Sequence, residues 1–264
     1  MELRRLRQEA GYTVEGVHRE LEISQPKLSR IESGRQEIPQ RDLIALLTIY
    51  GAAERIRELT ELRRVAREPG WFQEYGVENG TYVDFESGAS AIKSFDPLLV
   101  PGLLQIEPYA REVIRAHTFN TDDVEDLVNM RLERRQLLDA DRAPKVWSVI
   151  GEAAVRTVVK SRAVMARQLE HLLTLSRHPR VTIQLLPFES GAHPAMDGGF
   201  SILEFADVED TTLVYVDRAT GSTWAERPAE VERATMTFGH MLASASSPDE
   251  SARDIEKIMM EMRE

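Results

Sequence analysis

The sequence predicts a mixed fold, in which a small all-α domain is followed by a larger α+β domain. Apolar residues recur at helical spacing through residues 1–68. The run REPGW at 67–71 breaks this pattern with Pro and Gly and is the candidate boundary. Beyond it, helical stretches alternate with short apolar runs that are typical of strands. We therefore assign the first domain to residues 1–68, an aromatic linker segment to 69–88 and the α+β domain to 89–264.

The first domain is predicted to contain five short helices joined by tight turns. Each helix carries apolar residues at helical spacing, which indicates a common core. Thr13 and Ser24 are suited to cap the second and third helices, and Pro39 is suited to open the fourth. The core-facing residues, in chain order, are Leu3, Leu6, Ala10, Val14, Val17, Leu21, Leu28, Ile31, Leu43, Leu46, Leu47, Ile56, Leu59 and Leu62.

The segment ISQPKLSRIESGR, residues 23–35, forms a helix with one face that the core does not use. With Ser24 as the N-cap, Ile23 and Leu28 are placed to form a hydrophobic staple. Leu28 and Ile31 then point to the core, so the opposite side of the helix is exposed. That side carries short or hydrogen-bonding side chains and two cations: Gln25, Pro26, Lys27, Ser29, Arg30 and Ser33.

This helix and the one before it have the features of a helix-turn-helix. Thr13 caps the preceding helix, with Tyr12 and Val17 as its staple, and only about three residues, 22–24, join the pair. A turn this short makes two helices cross steeply. The second helix of such a pair can enter the major groove of DNA with its N-terminus first. The pattern alone leaves another interpretation open, because any helical hairpin exposes polar side chains.

The distribution of charge decides how an acidic chain could approach DNA. The net charge is −11. Residues 1–68 contain 13 basic and 12 acidic residues, whereas residues 69–264 contain 20 and 32. The nucleic-acid hypothesis therefore depends on local cations and on the positive end of a helix dipole, with the acidic remainder held away from phosphate.

Residues 3–39, LRRLRQEAGYTVEGVHRELEISQPKLSRIESGRQEIP, closely resemble the lambda-repressor-like, Cro/cI-type (Xre-type) helix-turn-helix, and RIESG is the most diagnostic fragment. The resemblance implies that Gln25 and Arg30 read base edges, with Pro26 alongside. Side-chain chemistry agrees, since Gln pairs well with adenine and Arg with guanine. The resemblance also implies a structural ion pair between Arg7 and Glu32. The residues expected near phosphates are Thr13, Lys27, Ser29, Ser33 and Arg35.

Three positions depart from the pattern of this family. Val14 stands where Gln is frequent, so one phosphate contact at the helix end is missing. His18 stands where Ala is usual, at a close approach of the two helices. Glu22 stands where a left-handed Gly is usual, and a non-glycine residue in that conformation costs roughly 1–2 kcal/mol.

The second domain is predicted to mix helices with strands. Helices are expected at 107–117, 122–141, 162–178 and 228–243, and strands at 181–187, 200–205 and 212–217. The loop FESGAHPAMDGG, 188–199, is either an ordinary surface connection or a binding loop. The motif VPGLLQ, 100–105, places apolar residues beside a Pro-Gly turn.

This domain also resembles a known group of proteins. FDPLLVPGLLQIEPYAR (95–111), RLERRQLL (131–138), VIGEAAVR (149–156) and HPRVTIQLLPFESGAHP (178–194) are similar to the effector domain of antitoxin-like regulators from high-GC bacteria. The resemblance implies a transcription regulator that is commonly encoded beside a small acidic or neutral partner protein.

Two further segments suit either the protein core or a partner surface. An aromatic-rich segment follows the first domain and contains Trp71, Phe72, Tyr75, Tyr82 and Phe85. The C-terminal helix, which opens at Pro248, has an apolar stripe that packs either on its own domain or on a second subunit or small partner. The residues of the stripe are Ala252, Ile255, Ile258, Met259 and Met262.

Catalysis is not expected. The absence of cysteine excludes disulfides, thiolate nucleophiles and Cys-based zinc sites. The six histidines form neither HExxH nor HxK, and the sequence has no GxxxxGK[ST] or GxGxxG phosphate loop. We expect no cofactor and no metal. His193 and Asp197, on the Gly-rich loop, are the residual candidates for a catalytic site.

The sequence favours a dimeric, sequence-specific transcription regulator that reads the major groove with helix 24–33 and is controlled through a C-terminal partner- or ligand-binding domain. The alternative is an antitoxin-like interaction module that sequesters a small partner protein, with DNA binding secondary; a small-molecule sensor is a third possibility. The lack of cysteine, of an apolar run of ~18–20 residues and of an apolar start predicts a cytoplasmic protein without a membrane partner.

Overall fold

A computed structural model describes residues 2–32, 36–65, 82–118, 123–140, 143–206 and 212–264. The chain divides into two compact units, Met1–Pro69 and Gly70–Glu264. Among the helices of the described ranges, none is both long and apolar enough to cross a bilayer.

In its described residues, 2–32 and 36–65, the first unit contains five α-helices, as the sequence predicts: α1 (Glu2–Glu9), α2 (Val14–Leu21), α3 (Gln25–Glu32), α4 (Gln40–Ile49) and α5 (Ile56–Val65). Thr13 caps α2 by accepting a hydrogen bond from the Gly16 N–H at 3.0 Å. Ser24 is a weaker cap of α3, with its Oγ 3.4 Å from the Lys27 nitrogen. The helices enclose one apolar core, whose fully buried members include Val17, Leu28, Leu46 and Leu47.

The second unit contains a six-stranded mixed sheet: β1 (Ala91–Asp96), β2 (Lys145–Gly151), β3 (Val181–Leu186), β4 (Phe200–Glu204), β5 (Thr212–Val216) and β6 (Thr223–Ala225). The strand order is β3-β2-β1-β4-β5-β6. The pairs β1–β2 and β2–β3 are parallel, and the remaining pairs are antiparallel. Parallel neighbours need long crossover connections, which helices provide here.

The described helices of this unit are α6 (Tyr82–Gly88), α7 (Glu107–His117), α8 (Val124–Arg134), α9 (Glu152–Arg156), α10 (Arg162–Leu175), α11 (Pro228–Ser244) and α12 (Pro248–Arg263). Successive side chains of a strand point to opposite faces. Ile92 of β1 therefore joins the core that includes α7, α10 and α12, whereas Phe95 joins the core that includes α11. The sheet is covered on both faces.

The predicted helices and strands of the second domain are present, but the helix expected over 122–141 ends at Arg134 and continues only as a 3₁₀ turn, Arg135–Leu138. The elements β1, β2, β6, α6 and α9 are additional to the prediction. Local sequence does not reveal β1 and β2 because polar residues interrupt their apolar runs, Lys93 and Ser94 in β1 and Ser148 in β2. In the folded sheet, Ser94 and Ser148 lie side by side and buried, and the Ser94 hydroxyl donates a 3.2 Å hydrogen bond to the Ser148 hydroxyl. A buried polar pair of this kind is satisfied only across strands, so local sequence does not reveal it.

The C-terminal helix α12 packs on its own domain. Ile255, Ile258 and Met259 are buried in the same core as α10 and β3. A capping box fixes the start of the helix, since Ser247 and Glu250 bond reciprocally through side chain and backbone. Of the two alternatives for the apolar stripe, the structure therefore supports packing within the domain.

Candidate nucleic-acid interface

The turn between α2 and α3 keeps the left-handed conformation that the family pattern requires. Glu22 has φ 55° and ψ 17°, and its N–H donates to the His18 carbonyl at 3.0 Å. His18 lies beside the turn, with Nδ1 3.0 Å from the Ile23 carbonyl oxygen. The two departures from the pattern are thus accommodated without opening the turn. His18 contributes a side-chain contact to it.

The exposed side of α3 carries the residues proposed to read bases. Gln25, Pro26, Ser29 and Arg30 are exposed, whereas Leu28 and Ile31 on the opposite side are buried. Thr13 is also exposed; its oxygen accepts from Gly16, which leaves its O–H as a donor suited to phosphate. Of the remaining phosphate candidates, Ser33 and Arg35 lie outside the described residues.

Arg7 and Glu32 form a buried, bidentate ion pair that ties α1 to α3. Arg7 Nε donates to Glu32 Oε1 at 2.7 Å, and Arg7 Nη2 donates to Glu32 Oε2 at 3.0 Å. A third donor of the same guanidinium, Nη1, reaches the Tyr12 carbonyl at 2.8 Å. The hydrogen bonds with Glu32 raise the pKa of Arg7. This ion pair holds α3 on its core-facing side, and its burial keeps both residues from contacting DNA.

Lys27 has a partner that sequence reasoning missed. Its Nζ lies 2.5 Å from Oδ2 of Asp42, a buried carboxylate in the first turn of α4. On the other side of that carboxylate, Arg41 Nε is 4.0 Å from Oδ1, and the Arg41 side chain is 95% exposed. Two cations therefore share one acid beside the N-terminal halves of α3 and α4. Arg41 is a further candidate for a phosphate contact.

Arg30 is held in place at the other end of the exposed side. Its Nε donates to Gln36 Oε1 at 3.0 Å, and the Gln36 N–H donates to the Arg30 carbonyl at 3.2 Å. The side chain is exposed but its orientation is set by a neighbour, which lowers the entropy lost on docking against a base. Gln36 lies three residues beyond the expected end of the helix, and the sequence offers no local signal for its role.

Two family comparisons bear on this geometry. A family described as Helix-turn-helix domain matches residues 1–67, and a family described as Domain of unknown function (DUF5753) matches residues 80–257. The second match covers well over half of the chain. The chain belongs to the DUF5753 family. Comparisons with curated proteins and with solved structures gave no match. The helix-turn-helix match indicates DNA binding by the first domain, and the description of the DUF5753 domain assigns it no function.

The residual catalytic candidates of the DUF5753 domain do not form a joint site. The His193 ring packs edge-on against Phe95, with centroids 5.4 Å apart, and its Nδ1 accepts from the Ala195 N–H at 3.3 Å. Asp197 is exposed, and no hydrogen bond joins it to His193 in the described loop. The part of the chain that the structure describes also contains no group of three or more His, Asp or Glu side chains arranged to hold a metal.

The aromatic segment is described only in its last part. Tyr82 and Phe85 lie on α6 and pack on the core of the DUF5753 domain. The ring centroids of Phe85 and Trp224 are 4.7 Å apart. Both residues therefore pack within their own domain, and Tyr82 also lines a cavity of that domain. Trp71, Phe72 and Tyr75 lie outside the described residues.

Proposed function

We propose that this DUF5753 protein is a sequence-specific, dimeric transcription regulator of the Xre type. Gln25 and Arg30 read base edges in the major groove, and Pro26 packs beside them. The observation that carries the proposal is the exposed side of α3, where Gln25, Pro26, Ser29 and Arg30 stand opposite a fully packed side. Because a regulator acts on the chromosome, the proposal places the protein in the cytoplasm.

Phosphate contacts position such a helix, and base contacts specify the sequence. In the proposal, Thr13, Lys27, Ser29, Ser33 and Arg35 contact phosphates, and we add Arg41 because it is exposed beside Lys27. The N-terminus of α3 adds the positive end of its dipole. The first domain is nearly neutral and gains little DNA affinity from phosphate contacts alone. Two first domains of a dimer, bound to half-sites roughly 34–36 Å apart, supply the remaining affinity.

The DUF5753 domain acts in this proposal as the controlling domain. The similarity of its motifs to those of antitoxin-like regulators supports a small partner protein encoded nearby as one controlling agent. No catalytic role is proposed for it.

The base-reading role is tested with Arg30→Ala in the full-length protein. Sequences selected from a random DNA library should share a motif with dyad symmetry, because the two half-sites are related by a two-fold axis. On that motif, Arg30→Ala should lose roughly 1–3 kcal/mol of binding free energy by fluorescence anisotropy and relax selectivity at one base step. Arg57→Ala, which removes an exposed arginine from α5, should bind as wild type. Equal affinity and equal base preference for wild type and Arg30→Ala would refute the assignment.

The phosphate role of Lys27 needs a paired design, because Lys27→Met alone leaves Asp42 buried without its cation. The double variant Lys27→Met/Asp42→Asn removes both charges. It should weaken binding to all sequences alike and reduce the slope of log K against log salt by about 1. Asp42→Asn alone releases the Lys27 ammonium and should strengthen binding to all sequences. A double variant with the affinity and salt slope of wild type rules out the contact.

A further inference from the structure

The DUF5753 domain contains a cavity of about 950 Å³ at the carboxyl end of β1. The motif VPGLLQ, which the sequence offered only as an apolar turn, forms one wall of it. From β1 the chain continues to β2 and β3 on one side, and β4 returns on the other, so the strand order reverses at β1. Ligands of open α/β sheets bind at such a position. The volume lies at the upper end of the range of small-molecule sites, ~300–1,000 Å³.

One end of the cavity holds two arginines that share a single carboxylate. Arg134 donates to Glu86 through Nε at 2.7 Å and through Nη2 at 2.8 Å, and both residues are buried. Arg131 Nη1 reaches only the neutral Gln105, at 2.9 Å, and Arg131 Nε is a buried donor without a partner in the described part of the chain. At this end of the cavity two cations therefore face one anion, which leaves a local positive charge.

The surplus charge is unfavourable in the unliganded protein. Burial lowers the pKa of Arg131 to about 10, and the charge of Arg134 contributes in the same direction. Buried charges are costly unless they are paired, and natural proteins keep such groups mainly where function needs them. An anionic ligand would restore the balance.

Gly102 of the VPGLLQ motif explains how the two guanidinium groups can sit so close to the backbone. A Cβ at this position would lie 3.2 Å from Arg131 Nη1 and 3.3 Å from Arg134 Nη2. Even the smallest side chain would crowd both groups. The motif thus leaves the end of the cavity open beside its cations.

The remaining walls suit a planar body with a polar group. Tyr82, Tyr215 and Trp224 line the cavity and contact one another, with ring centroids 4.7 Å apart for Tyr82–Tyr215 and 4.8 Å apart for Tyr215–Trp224. Asp96, the last residue of β1, also lines it, and its Oδ2 is a buried acceptor without a partner in the described residues. An aromatic wall with a few convergent polar groups is typical of a ligand site.

We infer that this cavity binds a small ring-bearing oxyanion, whose carboxylate or phosphate pairs with Arg131 and whose ring lies against Tyr82, Tyr215 and Trp224. Asp96 hydrogen-bonds a polar group at the other end of the ligand. Binding itself is independent of the proposed function; only the step from ligand binding to control of DNA binding rests on it.

The test uses the full-length protein with two anions and their neutral analogues: para-hydroxybenzoate against para-hydroxybenzamide, and phenyl phosphate against phenol. At a concentration tenfold above Kd, the preferred anion should raise Tm by roughly 3–6 °C, and its neutral analogue should have a much smaller effect. The two pairs distinguish a carboxylate from a phosphate ligand. Titration calorimetry then gives the affinities.

Two variants tie the effect to the cavity. Arg131→Gln should weaken anion binding at least about tenfold without lowering the Tm of the free protein, because the removed cation is partly buried and its guanidinium bonds the neutral Gln105, with no carboxylate bonded to it in the described residues. Arg167→Gln, on the exposed side of α10, should bind as wild type. Gly102→Ala keeps both charges but crowds the two guanidinium groups, so it should also weaken anion binding. This variant provides the test if Arg131→Gln does not fold.

The inference is overturned if each anion binds no better than its neutral analogue, or if anion binding is the same in wild type, Arg131→Gln and Gly102→Ala. DNA affinity of the same proteins is measured separately, with and without the anion. Anion binding without any DNA binding would leave the cavity assignment intact and contradict the proposed function; DNA binding without anion binding would do the reverse.

Discussion

The left-handed turn residue Glu22 gives a direct test of how the helix-turn-helix is strained. At φ 55° and ψ 17° its Cβ lies close to the backbone, a cost that glycine avoids. Glu22 is exposed, and its side chain makes no hydrogen bond to any of the residues that the structure describes. The turn itself is held by backbone, through the bond from the Glu22 N–H to the His18 carbonyl. Glu22→Gly should therefore keep the turn and remove its strain.

The expected gain follows from two opposing effects. Releasing a non-glycine residue from the left-handed region recovers roughly 1–2 kcal/mol. Glycine also gives the unfolded chain more freedom, which costs roughly 0.5–1 kcal/mol. We expect Glu22→Gly to stabilise the first unit by about 0.5–1 kcal/mol, which corresponds to roughly two- to fivefold slower exchange of its core amides.

Hydrogen exchange of the full-length protein, followed by mass spectrometry, measures this effect in peptides from α2 and α3. Glu22→Ala is the matched control, since it removes the same charge but keeps a Cβ in the same conformation. Protection should rise in Glu22→Gly and stay near the wild-type level in Glu22→Ala. Equal protection in the two variants, or less protection in Glu22→Gly, would refute the strain argument.

Two further predictions concern buried charges. Glu32→Gln leaves Arg7 buried without a full counter-charge and should destabilise the first unit by roughly 3–5 kcal/mol in urea denaturation, whereas Glu9→Gln, at an exposed pair, should cost less than about 1 kcal/mol. Burial raises the pKa of Asp96 from 3.8 to about 7. Because the native state then holds more protons than the unfolded state, stability falls as pH rises from about 4 to about 7, by at most about 4 kcal/mol. Asp96→Asn should flatten that fall in denaturation curves measured across the window; an unchanged pH profile would contradict it.

The first unit could be predicted largely from local sequence because its signals act over one or two helical turns. The capping residue Ser24, the staple of Ile23 with Leu28 and the spacing of Leu28 and Ile31 fix which side of α3 is exposed. These features are set within about ten residues of the helix that they orient. Local sequence alone therefore predicts which side of α3 is exposed.

The partners of Lys27 and Arg30 could not be found in the same way. The contact between Lys27 and Asp42 depends on how α4 docks beside α3, and neither residue carries a local signal of the other. Gln36 holds Arg30 only because the chain turns back after α3. Likewise the cavity of the DUF5753 domain joins residues of β1, α8 and β5 that are far apart in sequence. The periodic spacing of apolar residues predicts which side of a helix is exposed. Polar groups that converge from distant parts of the sequence can be identified only in the folded chain.

Ion pairs within the first unit limit how much its basic residues can contribute to DNA affinity. Apart from Lys27, which is proposed to contact phosphate, several basic residues of the first unit already have an acidic partner: Arg5 with Glu2 and Glu9, Arg7 with Glu32, Arg55 with Glu58 and Arg63 with Glu37. Affinity that comes from releasing counterions grows with the number of phosphates neutralised, so paired cations contribute little to binding that ignores sequence. Base contacts and two-fold pairing must then supply a larger share of the binding free energy. A DNA-binding domain with few unpaired cations has a low affinity for non-specific DNA and keeps its preference for the correct site. This property suits a regulator that must ignore most of a genome.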